Sequence, residues 1–257
     1  MQRNTNGTLA YYTFDSLPDS VIHSISTRHG GVSLAPFHTL NLSRAVGDDP
    51  ENVATNIERW HAAFSLDASS TVKASQAQAD RVVAVGEEHR GTVVVDVDAL
   101  LTNARRVPLM LRFADCVPIL FFDPVRQAIG IAHAGWRGAV LKIVTQAART
   151  MFDAFGTRPR DLIACIGPSI GPCCYRVGDD VSARVRAAYA ESDQLLIRRD
   201  GATYFDLWQA NASQLRALGV EQIEIAGICT AEHTDDFYSA RAENHRTGRF
   251  GVLIALK

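Results

Sequence analysis

One thiol and one imidazole carry most of the chemistry that this chain could do. Cys116 closes the stretch Phe113-Ala-Asp-Cys, and His133 closes Ile131-Ala-His; two apolar runs lie between them. The intervening segment reads as a β-hairpin. Val117 to Phe122 and Ala128 to Ala132 are strand-like, and Asp123-Pro124-Val125-Arg126-Gln127 has the composition of a turn. Proline pre-sets φ there, and Asp123 can accept from the backbone that follows. With Phe122 opposite Ala128, Cys116 and His133 fall almost opposite each other at the open end. Directly opposed Cα atoms in an antiparallel pair are roughly 4.5–5.5 Å apart. That spacing suits two ligands of one metal ion, or a thiolate–imidazole pair. A free cysteine is often only a small buried apolar group, which describes Cys165 and Cys229 in apolar strands. Cys116 differs, because it stands at a strand entrance with Asp115 before it and Pro118 close after.

Several segments offer groups for an anion. Gly135-Trp136-Arg137-Gly138 joins a strand end to a helix start, where free N–H groups attract negative charge and Arg137 could grip phosphate or carboxylate. The bland reading of the same four residues is a tight turn with Trp136 packed in the core. Ser26-Thr-Arg-His-Gly-Gly-Val-Ser33 supplies Arg28 and His29, and the stretch from Phe237 to Arg249 supplies Arg241, Arg246 and Arg249. Clustered beside turns, these arginines could bind an anionic substrate, although arginine is also ordinary surface charge. Residues 166–178, Ile-Gly-Pro-Ser-Ile-Gly-Pro-Cys-Cys-Tyr-Arg-Val-Gly, form a long irregular loop of the kind that often carries function. Its vicinal Cys173-Cys174 reads better as small packed side chains than as a redox pair.

The elements that must position these groups mix helices and strands. Asp49 and Pro50 open a helix whose face is Val53, Ile57, Trp60 and Phe64. A second starts after Gly138, with Val140, Val144, Ala147, Met151 and Phe155 inward and Gly156 past its end. Asp206 caps a third that Gly219 stops, and Asp179 to Tyr189 is a weaker fourth. Strand candidates are Thr92–Val97, Leu162–Ile166, Gln194–Ile197, Ile223–Ile228 and Gly251–Leu256. A hairpin at the centre breaks strict β-α-β alternation, so the expected fold is α+β with a mixed sheet core and flanking helices. No linker divides the chain, and a single domain over residues 1–257 is expected.

The bulk properties exclude some classes. The chain is 47% hydrophobic with a net charge of −2, so a core is available and no strong field favours nucleic acid or membrane. Its start lacks a signal-peptide pattern, and the five cysteines include no Cys-x-x-Cys, which points to reduced thiols in the cytoplasm. Neither a dinucleotide fingerprint nor a Walker loop is present.

Taken together, the motifs resemble the bacterial YfiH/YlmD-type laccase-domain family, first named polyphenol oxidases and later described as zinc-dependent purine nucleoside phosphorylases. The resemblance runs through Thr27-Arg-His-Gly-Gly-Val-Ser33, Gly47-Asp-Asp-Pro50, Ala114-Asp-Cys-Val-Pro118, His133-Ala-Gly-Trp-Arg-Gly138, residues 166–175, Asp206-Leu-Trp208, Cys229-Thr230, Phe237-Tyr-Ser239 and Thr247-Gly-Arg249. It covers nearly the whole chain, in order. It implies one zinc held by two histidines and one cysteine, with Cys116 and His133 at two of those positions. The remaining histidine belongs to Gln-Val-His-Gly-Asp-x-Val; here the stretch reads Gln76-Ala-Gln-Ala-Asp-Arg-Val82, so Gln78 stands at the third-ligand position. Ala45 is a second departure, where many relatives carry histidine. A neutral amide is a poor zinc ligand, and His29, His38 and His245 are possible substitutes.

The activity implied is phosphorolysis of adenosine, inosine, guanosine and methylthioadenosine, with hydrolytic deamination of adenosine beside it. The partners are then a purine nucleoside and phosphate. Cys116 and His133 would serve the chemistry, and Arg28, Arg137 and Arg241 would contact substrate. Copper suits the set less well than zinc, because blue-copper sites use two histidines and an axial ligand. Two other readings stand beside this one: a Cys116–His133 thiol hydrolase, and a non-catalytic family member whose metal site is impaired by Gln78.

Overall fold

The computed structural model describes residues 1–257. Its strands fall into two large sheets and a small one. The first large sheet orders its strands as Gln2–Asn6, Leu9–Thr13, Val21–Ser26, Phe250–Leu256, Leu109–Phe113, Val72–Ser75 and Val93–Val95. The second runs Gln222–Ile225, Ile163–Ile166, Val117–Asp123, Ala128–Ala134, Ala99–Thr102 and Val82–Ala84. Both mix parallel and antiparallel pairs, so the fold is α+β with mixed sheets, as expected. Arg176–Val177, Ala202–Phe205 and Leu196–Arg199 make the small sheet.

The layers follow from which faces are apolar. In Val117–Asp123, Val117, Ile119 and Phe121 pack with the helices Ile143–Phe155 and Leu207–Ala217, through residues such as Val144, Met151, Ala210 and Leu215. Leu120 and Phe122 point the other way, against Leu109, Leu111, Val252 and Ile254 of the first sheet. The far side of that sheet receives the helix Pro50–Ala62, whose Trp60 packs with Leu42, Met110 and Leu253. The order is therefore helix, sheet, sheet, helices. A strand covered on both faces reads as a continuous apolar run, which is why every residue of Val117–Asp123 is buried.

The capped helices form as expected, since Asp49 and Asp206 each accept a backbone N–H at their helix starts. The helix expected after Gly138 is two helices. Trp136–Val140 ends, Lys142 turns left-handed at φ 65°, and Ile143–Phe155 begins. Gly156 then closes it at φ 72°. The expected strand Gln194–Ile197 is half helix: Ser192–Leu195 forms one turn before the strand Leu196–Arg199. The hairpin has a shorter turn than expected, because Asp123 rather than Phe122 pairs with Ala128. The Asp123 carboxylate accepts from the N–H groups of Val125 and Arg126 and shapes that turn.

Two histidines buried away from the hairpin set an acid limit on stability. His23 accepts from the Phe14 N–H at 2.8 Å, and His61 bonds the Ile57 carbonyl at 2.7 Å while its Nε2 finds no partner. Burial lowers the pKa of both. Each stays neutral when folded, whereas an unfolded histidine protonates near pH 6.5. Below that pH the unfolded chain binds more protons, so stability is lost as pH falls through about 6.5. Urea midpoints should therefore drop on acidification from about pH 7.5 to about pH 5.5. His23→Gln, which keeps an acceptor for Phe14, should flatten part of that drop; an unchanged slope would remove His23 from the account.

Candidate active site

Three crossings between the two large sheets build the site. Ser75 in the first sheet leads through residues 76–81 to Val82 in the second; Val95 leads through residues 96–98 to Ala99; Phe113 leads through residues 114–116 to Val117. The crossings deliver Gln78, Asp98 and Cys116 in turn. Each carries a non-glycine residue with left-handed backbone: Gln78 at φ 58°, Asp96 at 55° and Asp115 at 86°. Such residues cost free energy and persist where the surrounding structure holds them. The strand Ala128–Ala134 brings His133 to the same end.

The register of the hairpin decides how Cys116 and His133 meet. His133 pairs with Pro118 and Ala134 with Val117, so the next step sets Cys116 against Gly135. The register expected from the sequence would have put the two side chains on opposite faces. The observed one makes them diagonal neighbours on one face. Gly135 is required there, because a Cβ at that position would lie 2.9 Å from the Cys116 sulfur.

Asp98 fixes the imidazole. His133 Nδ1 lies 2.8 Å from its Oδ1, and its Oδ2 accepts from the Ala77 and Ala79 N–H groups at 3.1 and 2.8 Å. The His133 N–H also donates to the Asp98 carbonyl at 2.7 Å. Burial alone would raise the Asp98 pKa, but the His133 and Ala79 hydrogen bonds hold it below the ordinary carboxylate value. Burial opposes charge on His133 as well; the Cys116 charge and Asp98 overcome it and push the pKa up to about 9. The protonated form of His133 is thus favoured, with Nδ1 committed to Asp98 and Nε2 left on the Cys116 side.

A cavity of about 680 Å³ opens on this pair. Cys116, His133, Gln78, Arg137, Arg241, Arg249 and His245 all line it. Arg112 lines it too, half-buried on its strand with its guanidinium on the Ala74 carbonyl. Four arginines thus face the cavity against one lining carboxylate, Asp115. Trp136 and Tyr175 supply aromatic walls, each with a guanidinium over its ring: Arg137 at 4.6 Å and Arg241 at 5.2 Å. Asp115 ties the walls together, accepting from Thr230 Oγ1 at 2.8 Å and from the Arg241 N–H at 2.6 Å.

Other expected site residues lie elsewhere. Arg28 does not reach the cavity: its guanidinium donates to the His38 and Thr234 carbonyls and to Glu243, and it stacks on Tyr238. His29 pairs with Asp236 at 3.2 Å. His38, Arg246 and both residues of Cys173-Cys174 are also outside the lining. Sequence reasoning missed Asp98 and Arg112. The signal was present in each case, as charge inside an apolar run: two aspartates in Val93-Val-Val-Asp-Val-Asp-Ala-Leu-Leu101 and one arginine in Leu109-Met-Leu-Arg-Phe113.

The donor set can be tested against zinc. A metal-ligating histidine usually gives its other N–H to a carboxylate or carbonyl, and His133 does so. Cys116 supplies a sulfur beside it. The third position fails. Gln78 is exposed, and its Oε1 accepts from Arg137 Nη1 at 2.9 Å. No third cysteine, histidine or carboxylate groups with the pair at metal-binding separation. A catalytic zinc normally has three protein ligands and one open position. The residues present make only two-thirds of that set and do not complete a catalytic zinc site. What they can do unaided is hold a proton at His133 Nε2 and bind an anion through the arginines.

Residues 22–257 match the family described as multi-copper polyphenol oxidoreductase laccase. The chain is 38% identical over 247 residues to the purine nucleoside phosphorylase YlmD of Bacillus subtilis, covering 92% of this chain and 89% of that protein. It is 34% identical over 259 residues to a purine nucleoside phosphorylase of Bacteroides thetaiotaomicron, covering 96% of each. Among solved structures, YlmD from Geobacillus stearothermophilus superposes with a TM-score of 0.93 at 32% identity, covering 100% of this chain and 98% of that one. The hypothetical protein YfiH of Bacillus licheniformis gives 0.92 at 32% identity, with 97% of each covered. With its fold and its sequence in agreement, this chain belongs to the YfiH/YlmD-type laccase-domain family.

Proposed function

We propose that this protein is a purine nucleoside phosphorylase acting on adenosine, inosine, guanosine and methylthioadenosine. One observation carries the reading: four arginines and two aromatic rings share a cavity with the Cys116–His133 pair. Guanidinium groups are well matched to phosphate, and aromatic faces suit a purine. Relatives that bear the name purine nucleoside phosphorylase support it. In the reaction, a phosphate oxygen bonds to the anomeric carbon of ribose as the carbon–nitrogen bond to the base breaks. The leaving base takes up a proton. His133 holds one at Nε2, and Asp98 keeps the ring turned toward the cavity. The arginines hold phosphate and offset its charge.

Zinc dependence and adenosine deamination belong to the same reading as finer points. Cys116 and His133 would be two donors for the ion, in which case Nε2 would carry the metal in place of the proton. The reading also treats residues 1–257 as one domain, since the chain crosses between the two large sheets six times. It places the protein in the cytoplasm, supported by five unpaired cysteines; no helix is long and apolar enough to cross a membrane.

Incubation of the protein with adenosine and phosphate should release adenine and ribose 1-phosphate, with ammonia followed in the same assay for deamination. No adenine with zinc supplied would overturn the proposal. Arg137→Ala should raise the KM for phosphate roughly tenfold or more, because a hydrogen bond to a charged group is worth about 1.5–3 kcal/mol. An unchanged KM would take Arg137 out of the phosphate site.

A further inference from the structure

A second group of thiols lies outside the cavity. The sulfurs of Cys173, Cys174 and Cys229 and a carboxylate oxygen of Glu232 all lie within 4.8 Å of one another. None of the four lines the cavity of Cys116. We propose that they form a separate binding site for a thiophilic divalent cation of the zinc class. This inference does not rest on the phosphorylase reading.

Two tight turns present the donors. In one, the Cys174 and Tyr175 N–H groups return to the Gly171 carbonyl at 3.0 and 2.9 Å, which exposes the vicinal sulfurs together. In the other, the Glu232 N–H returns to the Cys229 carbonyl at 3.2 Å. Cys229 and Glu232 are thus the ends of a two-residue spacing, the spacing that zinc turns favour. The turns are fastened to each other: the Gly171 N–H donates to the Cys229 sulfur at 3.2 Å, and Ser169 bridges to Cys229. An N–H aimed at sulfur stabilises thiolate, the form that binds metal.

The chemistry selects the ion. Three sulfurs and one carboxylate suit a soft or borderline cation, whereas magnesium and calcium prefer oxygen. Zinc–sulfur bonds of about 2.3 Å put tetrahedral ligand atoms about 3.7 Å apart, so the site needs only a small contraction. Without metal, the Cys173 thiol donates to Glu232 at 3.2 Å. Binding would release that proton and free both groups as ligands. Glu232 is exposed, Cys173 and Cys174 are half-buried and Cys229 is buried, so the ion has an entry path and an inner anchor. Arg199 donates to the Cys173 carbonyl at 2.6 Å and offsets part of the negative charge.

The test is a cadmium titration of the full chain, kept reduced with a phosphine and stripped by a chelator. Cys116→Ala removes the thiolate of the cavity. That variant should still bind one cadmium ion with a strong sulfur-to-metal absorption band, and zinc should displace it while magnesium does not. Glu232→Gln, at an exposed position in the otherwise native chain, should weaken this binding by at least the roughly 10–100-fold that loss of an outer-sphere partner costs. Cys174→Ser should remove about a third of the band that survives Cys116→Ala, in proportion to the three thiolates. An absent band in Cys116→Ala, or affinity unchanged in Glu232→Gln, overturns the proposal.

Discussion

Gln78→His should raise the zinc affinity of the Cys116–His133 pair by about 10²–10³-fold. A four-ligand structural zinc site is worth roughly 10–16 kcal/mol, so each ligand supplies about 2.5–4 kcal/mol. The backbone at position 78 is left-handed at φ 58°, and histidine is among the residues that accept this conformation. The substitution therefore brings an imidazole without a new strain. It also removes the acceptor of Arg137, which leaves that guanidinium free for phosphate. Competition with a chromophoric chelator measures the affinity. An unchanged value would mean that position 78 does not reach the pair. Phosphorolysis measured in parallel separates two histories. Activity that climbs with zinc marks the natural Gln78 site as a decayed one, whereas constant activity marks it as remodelled to work without the third ligand.

Asp98→Ala carries the largest expected loss. The carboxylate is fully buried and accepts from His133 and from two backbone N–H groups. Removing one partner of a buried charge pair typically costs about 3–5 kcal/mol. The lower figure applies to this pair, because His133 can lose its proton and so avoid an unpaired charge. Activity should fall by about 10–100-fold, the usual cost of deleting the carboxylate behind a functional histidine. Asp98→Asn separates the two effects: it keeps the volume and an acceptor, so stability should recover more than turnover. Urea unfolding gives the first quantity, and nitrogen chemical shifts of His133 report its tautomer. If both variants kept the native tautomer and full turnover, Asp98 would be no more than a core residue.

Much of this was legible in the chain because local patterns dictated it. Asp49-Pro50, Asp206 and Gly156 mark helix ends through side-chain capping and left-handed backbone, and those elements appear where expected. The Cys116–His133 hairpin was legible for a similar reason, since its turn and its two apolar runs are contiguous. Its register was not, because an Asp123 that could belong to strand or turn shifts every pair by one. The crossings were harder still. Val93–Val95 and Ala99–Thr102 look like one long strand, yet they serve two different sheets. Only residues 96–98 separate them, with Asp96 turned left-handed. Arg28 shows the converse limit: a motif arginine beside Gly-Gly looked like a substrate contact, but partners far away in sequence, Thr234 and Glu243, occupy its guanidinium.

The strand Phe250–Leu256 follows every other strand in the chain, yet it sits in the middle of the first sheet, between Val21–Ser26 and Leu109–Phe113. A ribosome would finish the neighbours long before it made the strand that joins them. Until then both neighbours present unpaired edges, which are templates for association with other chains. Pairings of such long sequence separation also form slowly. Two lining residues, His245 and Arg249, immediately precede this strand. The cavity and the first sheet should therefore be completed together and late, and a nascent chain halted before Phe250 should need a chaperone to stay out of aggregates.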